Sequence, residues 1–283
     1  MSERLAVLGL GMMGGSVAGA ARSRSVASPV VGWDPNPKAC ATALANGLVD
    51  SIELTAEDAV SKASLVVAAC PVTQVVPLLS QLVQDAEPGT LFTDLGSTKL
   101  SIVRSMRGVS PAGIEFLGSH PLAGSEKSGP SHADTNLLER KVVALCPDES
   151  STPGSRDRLG KFWAALGARV VFCPAEEHDA LLALTSHLPH LLAYLMAGMP
   201  EQMHAPFLAG GFRDMTRLAG SSPQLWMGIF GDNREQLLRC SRDFRDKLDQ
   251  AIQALENPGA ESDSLRGLIE KGWAARTTWQ TTG

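Results

Sequence analysis

The chain has 283 residues, 44% of them hydrophobic, enough to bury a substantial core and to form two domains. Its net charge of −5 and pI near 5.7 disfavour nucleic acid or an anionic membrane surface as partners, and no basic stretch interrupts that balance. No apolar run reads as long enough to span a bilayer, and the chain enters a strand within its first residues without the pattern of a signal peptide. The cysteines (Cys40, Cys70, Cys146, Cys173, Cys240) are odd in number and lack CxxC or His–Cys ligand spacing. They read as reduced thiols of a cytoplasmic protein, and no metal site is expected.

In chain order, a short apolar strand from Leu5 to Leu8 runs into Gly9-x-Gly11-x-x-Gly14 and a helix of small residues. Unpaired backbone N–H groups at that helix start suit a pyrophosphate. A second apolar run ends at Asp34, at the distance from the glycines where a carboxylate can grip both hydroxyls of an adenosine ribose. With no Arg immediately beside it, that carboxylate would repel a 2′-phosphate, so NAD is preferred to NADP. A flavin shares the fingerprint, and a glycine turn serving only helix–sheet packing is the plainer alternative. Met12, Met13, Pro71 and Ser97 are expected to join Gly9, Gly11, Gly14 and Asp34 around the cofactor.

Further strand-like runs follow at Leu65 to Cys70, Thr90 to Asp94, Ile114 to Ser119, Lys141 to Cys146 and Ala168 to Cys173, alternating with helical patterns. That order predicts an α/β fold with a mostly parallel, doubly wound sheet whose ligands lie at the carboxyl ends of its strands. After Cys173 only helical periodicity remains, around Glu177 to Ser186, His190 to Met199, Pro223 to Ile229 and Arg234 to Leu255, with one more amphipathic helix beyond Pro258-Gly259. The predicted division is therefore 1–173 and an all-helical 174–283.

Three polar constellations exceed what packing requires. In Asp94-Leu95-Gly96-Ser97-Thr98-Lys99, the Ser97 hydroxyl suits the nicotinamide or a substrate oxygen, and equally a helix cap. In Gly118-Ser119-His120-Pro121-Leu122-Ala123-Gly124-Ser125-Glu126-Lys127-Ser128-Gly129, an imidazole at a strand end before a glycine-rich loop can accept a proton near neutral pH, as oxidation of an alcohol requires. The helical half carries Thr185-Ser186-His187-Leu188-Pro189-His190 and Gly210-Gly211-Phe212-Arg213-Asp214-Met215-Thr216-Arg217. Arg213 and Arg217 share a helix face at this spacing, and a guanidinium fork grips a carboxylate well, although pairing with Asp214 would also use them. Pro189 predicts a helix break that leaves His187 and His190 free either to cap or to meet a ligand.

Together these residues resemble the prephenate and arogenate dehydrogenase family, on GLGMMGGS, DLGSTK, GSHPLAGSEKSG, TSHLPH, GGFRDMTR and PQLW in order along nearly the whole chain. The resemblance implies a Rossmann domain joined to a helical dimerisation domain, a homodimer, and NAD-dependent oxidative decarboxylation of a cyclohexadienol in tyrosine biosynthesis. It also implies roles: His120 as general base, Ser97 as partner of the substrate hydroxyl, and Arg217 as carboxylate ligand. Glu126 and Asp214 would organise the entrance around that arginine, Asp214 from either subunit. His190 would contact the substrate side chain, with Ser186, His187 and Trp226 in support. If His190 donates a hydrogen bond there, a keto oxygen suits it better than an ammonium, which favours prephenate over arogenate. The glycine loop also looks like that of the β-hydroxyacid dehydrogenases, but their lysine-bearing helix has no match. A non-catalytic NAD sensor is the reading from another class.

Overall fold

In a computed structural model, residues 3–124, 127–201, 207–257 and 262–282 are described. The first strands and helices are β1 (Leu5–Leu8), α1 (Met12–Ser23), β2 (Val30–Trp33), α2 (Pro37–Ala45), β3 (Ser51–Ile52), α3 (Ala56–Val60), β4 (Leu65–Ala68) and α4 (Val72–Leu82). They continue with β5 (Leu91–Asp94), α5 (Leu100–Arg107), β6 (Glu115–Phe116), β7 (Gly118–Pro121), β8 (Val142–Cys146), α6 (Pro153–Ala165) and β9 (Arg169–Phe172). Six strands form a parallel sheet in the order β3-β2-β1-β4-β5-β6. β1, β4 and β5 are buried along their whole length, which is why they read as near-continuous apolar runs. Helices cover both faces of this sheet, and the strand order reverses between β1 and β4, the point where such sheets bind ligands.

One expected strand proves to be two. The Ile114 to Ser119 run gives β6 at the edge of the parallel sheet, then β7, which pairs antiparallel with β8 in a second sheet ordered β7-β8-β9. Leu117 is the crossing residue, its N–H still bonded to Phe92 O at 2.9 Å. The switch places His120 in that second sheet, opposite Ala144 of β8. The two-residue β3 had no apolar pattern and escaped the sequence reading.

The helical part comprises α7 (Ala175–Leu182), α8 (Leu188–Ala197), α9 (Gly210–Thr216), α10 (Pro223–Asp232), α11 (Arg234–Glu256) and α12 (Ser262–Thr282). The expected break at Pro189 does not occur. Residues Ala183–His187 form a π-turn in which the Leu188 N–H reaches back to Ala183 O, and Pro189 sits in the first turn of α8, where its missing N–H costs nothing. The resulting continuous helix, Ala175–Ala197, is long and apolar enough to cross a membrane by length and composition, which corrects the expectation that no such run exists. One face of that helix, with His178, Asp179 and His187, is buried in hydrogen bonds to the residues around it, while Leu181, Leu184 and Leu195 on the remainder are exposed.

By compactness the chain divides into Met1–Arg234 and Glu235–Gly283. The helices from α7 to α10 thus cohere with the sheet, for example through α10 against α4, where Gly228 lies close to Thr73 and Val72. The second unit holds most of α11 and all of α12, and leaves Leu248, Leu255, Ile269 and Trp273 exposed.

Candidate functional site

The glycine loop has the geometry its motif requires. Gly9 adopts φ +100°, a region that L side chains rarely enter. A Cβ on Gly14 would stand 1.9 Å from Gly9 O, whereas one on Gly11 would meet nothing within 4 Å. Gly14 therefore serves helix–strand packing, and Gly11 leaves open space where backbone can approach a pyrophosphate. Helix α1 begins at Met12 and no side chain caps it at Gly11, so the positive end of its dipole faces that open space, an arrangement that suits an anion. Asp34 closes the arrangement from β2. One carboxylate oxygen accepts the Leu10 N–H at 2.7 Å and the other the Asn36 N–H at 2.8 Å, and each oxygen keeps a lone pair for a ribose hydroxyl. Pro71, exposed at the start of α4, follows β4 across the switch point. These residues fit a dinucleotide.

At the end of β5, Asp94 is fully buried, and its carboxylate meets the equally buried Lys99 ammonium in a close ion pair. It also accepts the Gly96 N–H at 2.8 Å and the Ser119 N–H at 3.3 Å. Burial pushes the Asp94 carboxyl upward while Lys99 holds it down. Ser97 sits half-buried on the loop this pair shapes, but it is not a helix cap, contrary to that alternative. Helix α5 starts at Leu100, and its N-terminus is capped by Asp179 of α7, whose carboxylate oxygens accept the Lys99 N–H at 2.8 Å and the Leu100 N–H at 3.0 Å. Asp232 of α10 adds bonds from the Thr98 and Ser101 hydroxyls.

His120 lies on β7 with 9% of its surface exposed. Its Nδ1 is 2.9 Å from His178 Nε2, and His178 Nδ1 is 2.8 Å from Asp179 Oδ1. Burial drives His120 well below the ordinary imidazole range, and the neighbouring His178, Lys99 and His187 add to that. At neutral pH it is therefore an unprotonated imidazole.

The π-turn and α8 place the other two histidines against Trp226 of α10. His190 stacks on the indole, with ring centroids 3.5 Å apart, and His187 meets it edge-on at 6.1 Å. Tautomers follow from the partners. His190 Nδ1 faces Ser186 O at 2.9 Å and must donate, which leaves Nε2 as an acceptor. The expectation of a donor at His190 is thus reversed, because burial, with the Arg217 charge in addition, keeps its pKa low. The Asn233 amide N–H₂ donates to Asp179 O at 2.7 Å, which fixes its orientation, and also reaches His187 Nδ1 at 3.1 Å. His187 consequently carries its proton on Nε2, a fully buried atom with no partner among the described residues. Its pKa is lowered to about 4, chiefly by burial.

Arg213 lies in α9, but Arg217 opens the 3-10 turn Arg217–Gly220, so the two are not on one continuous α-helix as expected. Arg213 Nε donates to Leu208 O at 3.0 Å. Among the described residues no ion pair joins either arginine to Asp214, and Arg217 and Asp214 are both exposed. Glu126, assigned to the site entrance, lies outside the described residues. Sequence reasoning passed over the roles of Lys99, His178, Asp179 and Asn233. The adjacent His178-Asp179 pair was the one available signal, and nothing local tied it to His120, 58 positions away.

Residues 17–172 match the family described as the nucleotide-binding domain of prephenate dehydrogenase, and residues 174–270 match its dimerization domain. Prephenate dehydrogenase of Bacillus subtilis strain 168 is 32% identical over 281 residues, covering 96% of this chain and 71% of that protein. Among solved structures, prephenate dehydrogenase from A. aeolicus in complex with hydroxyphenyl propionate and NAD+ superposes with a TM-score of 0.90 at 27% identity, covering 98% of both chains. Synechocystis arogenate dehydrogenase gives 0.83 at 26%, covering 98% of this chain and 99% of that one. With both halves matched and the glycine loop, the buried imidazole and the arginine turn in place, the chain belongs to the prephenate dehydrogenase family.

Proposed function

We propose that this chain catalyses NAD-dependent oxidative decarboxylation of prephenate to 4-hydroxyphenylpyruvate in tyrosine biosynthesis, with His120 as the base. The observation that carries the reading is a buried imidazole, kept unprotonated by its surroundings, on a strand whose following loop reaches the dinucleotide-type turn, a Cβ on Gly124 standing 4.0 Å from Met13 Sδ. NAD, when bound, accepts the hydride from C4 of the ring. His120 takes the proton of the C4 hydroxyl as that hydride departs, and Ser97 holds the same oxygen. Loss of the ring carboxylate as carbon dioxide then returns an electron pair through the ring to that oxygen. His120 gives the proton back to the phenol, so no net proton is consumed. Arg217 holds a substrate carboxylate and thereby orients C4. Glu126 and Asp214 shape the approach to that arginine, and Ser186, His187 and His190 receive the side chain.

Arogenate is a second substrate on this reading. His187 offers a buried N–H that suits the keto oxygen of a pyruvyl group, whereas His190 offers a bare Nε2 that suits the ammonium of an alanyl group. Residues 1–173 form the cofactor half and 174–283 the substrate and dimerisation half. Leu195, Met199 and Met227, 60–79% exposed on α8, the loop after it and α10, support association of two copies.

The test is formation of NADH, followed by absorbance, with prephenate and with arogenate. His120→Asn should lower kcat by roughly 10²–10⁴ with NAD affinity little changed. Because the His120 pKa is depressed, the imidazole stays unprotonated until well below the ordinary value of 6.5, so the acid limb of kcat/KM should also lie below it. Unchanged turnover in His120→Asn removes the residue from the reaction.

A further inference from the structure

The pair His178-Asp179 in the first turns of α7 touches both segments that carry the proposed chemistry. The bonds to Asp179 have a forced direction, and they set the His178 tautomer. The backbone N–H groups of Lys99 and Leu100 can only donate, so both Asp179 oxygens act as acceptors toward α5. The oxygen that accepts from Lys99 N also faces His178 Nδ1 at 2.8 Å, so that nitrogen carries the proton. A neutral His178 is then bare at Nε2, the atom 2.9 Å from His120 Nδ1. His120 must donate there, and its own lone pair is left at Nε2, on the opposite side of the ring.

We propose that His178 and Asp179 are positioning residues for the reaction, holding His120 as the Nδ1–H tautomer with Nε2 free to take the substrate proton; the proposal rests on the role given to His120 above. The same carboxylate that sets this tautomer also pins the start of α5, and with it the loop bearing Ser97. One group thus fixes the base and the hydroxyl partner relative to each other, across three elements that are far apart in sequence. All three relay side chains are at least nine-tenths buried, so water cannot substitute for a missing link. When His120 takes up the proton, both its nitrogens carry hydrogen. The Nδ1–H then faces an acceptor whose far side is bonded to a carboxylate, which stabilises the transient cation without any transfer of the proton to Asp179.

The arrangement is tested on the intact protein labelled with nitrogen-15 histidine, with His120 assigned by its loss in His120→Asn. The wild-type spectrum should show His120 Nδ1 as a pyrrole-type and Nε2 as a pyridine-type nitrogen. His178→Leu should abolish that fixed pattern and reduce kcat by roughly 10²-fold or more, with a much smaller change in KM. His178→Gln, whose amide can accept from His120 and donate to Asp179, should recover kcat to within about tenfold of wild type. A wild-type His120 protonated at Nε2, or a His178→Leu protein that retains kcat within about threefold, overturns the proposal. If His178→Leu does not fold, the wild-type spectrum and His178→Gln decide it. Absence of NADH from prephenate and arogenate alike would defeat the proposed reaction, whereas the nitrogen pattern reads the relay independently.

Discussion

The carboxyl end of the sheet and the arginine-bearing segment from Gly210 to Gly220 carry the two halves of the proposed site by opposite means. At the sheet, Asp94, Lys99, Ser119, His178 and Asp179 are all buried, and each polar group is spent on a neighbour. In the arginine segment, Arg217, Asp214 and Met215 are exposed, and among the described residues Arg213 bonds to the Leu208 carbonyl and to no carboxylate. A proton and a hydride move over fractions of an ångström, so the groups that handle them need a frame fixed before the substrate arrives. Capture of a dianion needs a cation still solvated and unpaired. An arginine already locked to a carboxylate would have to lose that partner first.

Substitutions can break this contrast, and the largest effect should come from the rigid half. Lys99→Met leaves the Asp94 carboxylate buried without its counter-charge and should cost about 3–5 kcal/mol of stability by chemical denaturation. A loss below about 1 kcal/mol would mean that the Gly96 and Ser119 amides alone satisfy Asp94, and that the ion pair is not what holds the frame. Gly14→Ala should come next. Its Cβ would collide with the backbone oxygen of Gly9, a contact no rotamer relieves, so α1 must move off the loop. NAD affinity by calorimetry should fall on the order of 10²-fold. The same substitution at Gly11 meets no protein atom, so any loss of affinity there reports contact with the cofactor itself. In the exposed half, Arg217→Ala should leave stability within about 0.5 kcal/mol of the parent while raising KM roughly 10- to 100-fold. A stability loss comparable to that of Lys99→Met would erase the distinction between the halves, and a fall in kcat alone would remove Arg217 as a ground-state anchor.

What could be read from the residues follows the same division. The glycine loop, Asp34 and the buried strands are local patterns, because strand, turn and helix start are set by neighbours in sequence, and they were legible. Whether Ser97 caps α5 was not legible, because the cap comes from Asp179, 80 positions beyond Lys99. The change of sheet at Leu117 was hidden for a similar reason. Ile114 to Ser119 is one apolar run by composition, and only the pairing of β7 with β8 divides it. Pro189 misled in the other direction. Its helix-breaking tendency is real in an α-helix, but the π-turn before it leaves the position where the missing N–H is harmless. The His190 tautomer, and with it the case for preferring prephenate, depended on the carbonyl of Ser186, and residue identity alone says nothing of which ring nitrogen that carbonyl occupies.

The smallest effect is expected where the rigid frame meets the cofactor's outer edge. Asp34 would do two things at once: its oxygens hold the Leu10 and Asn36 amides, and on the proposed reading their remaining lone pairs accept from the ribose hydroxyls. In Asp34→Ser the shorter side chain cannot serve both amides, so the loop loosens slightly, and the negative charge that repels a 2′-phosphate disappears. NAD should bind about tenfold more weakly and NADP somewhat better, so the ratio of kcat/KM for the two cofactors falls by roughly 10- to 30-fold while kcat with saturating NAD changes little. A drop in kcat as large as that of His120→Asn would show that loop geometry, and not ribose recognition, is the main contribution of Asp34. A parent enzyme that already prefers NADP would mean that the carboxylate is satisfied by the two amides and does not reach the ribose at all.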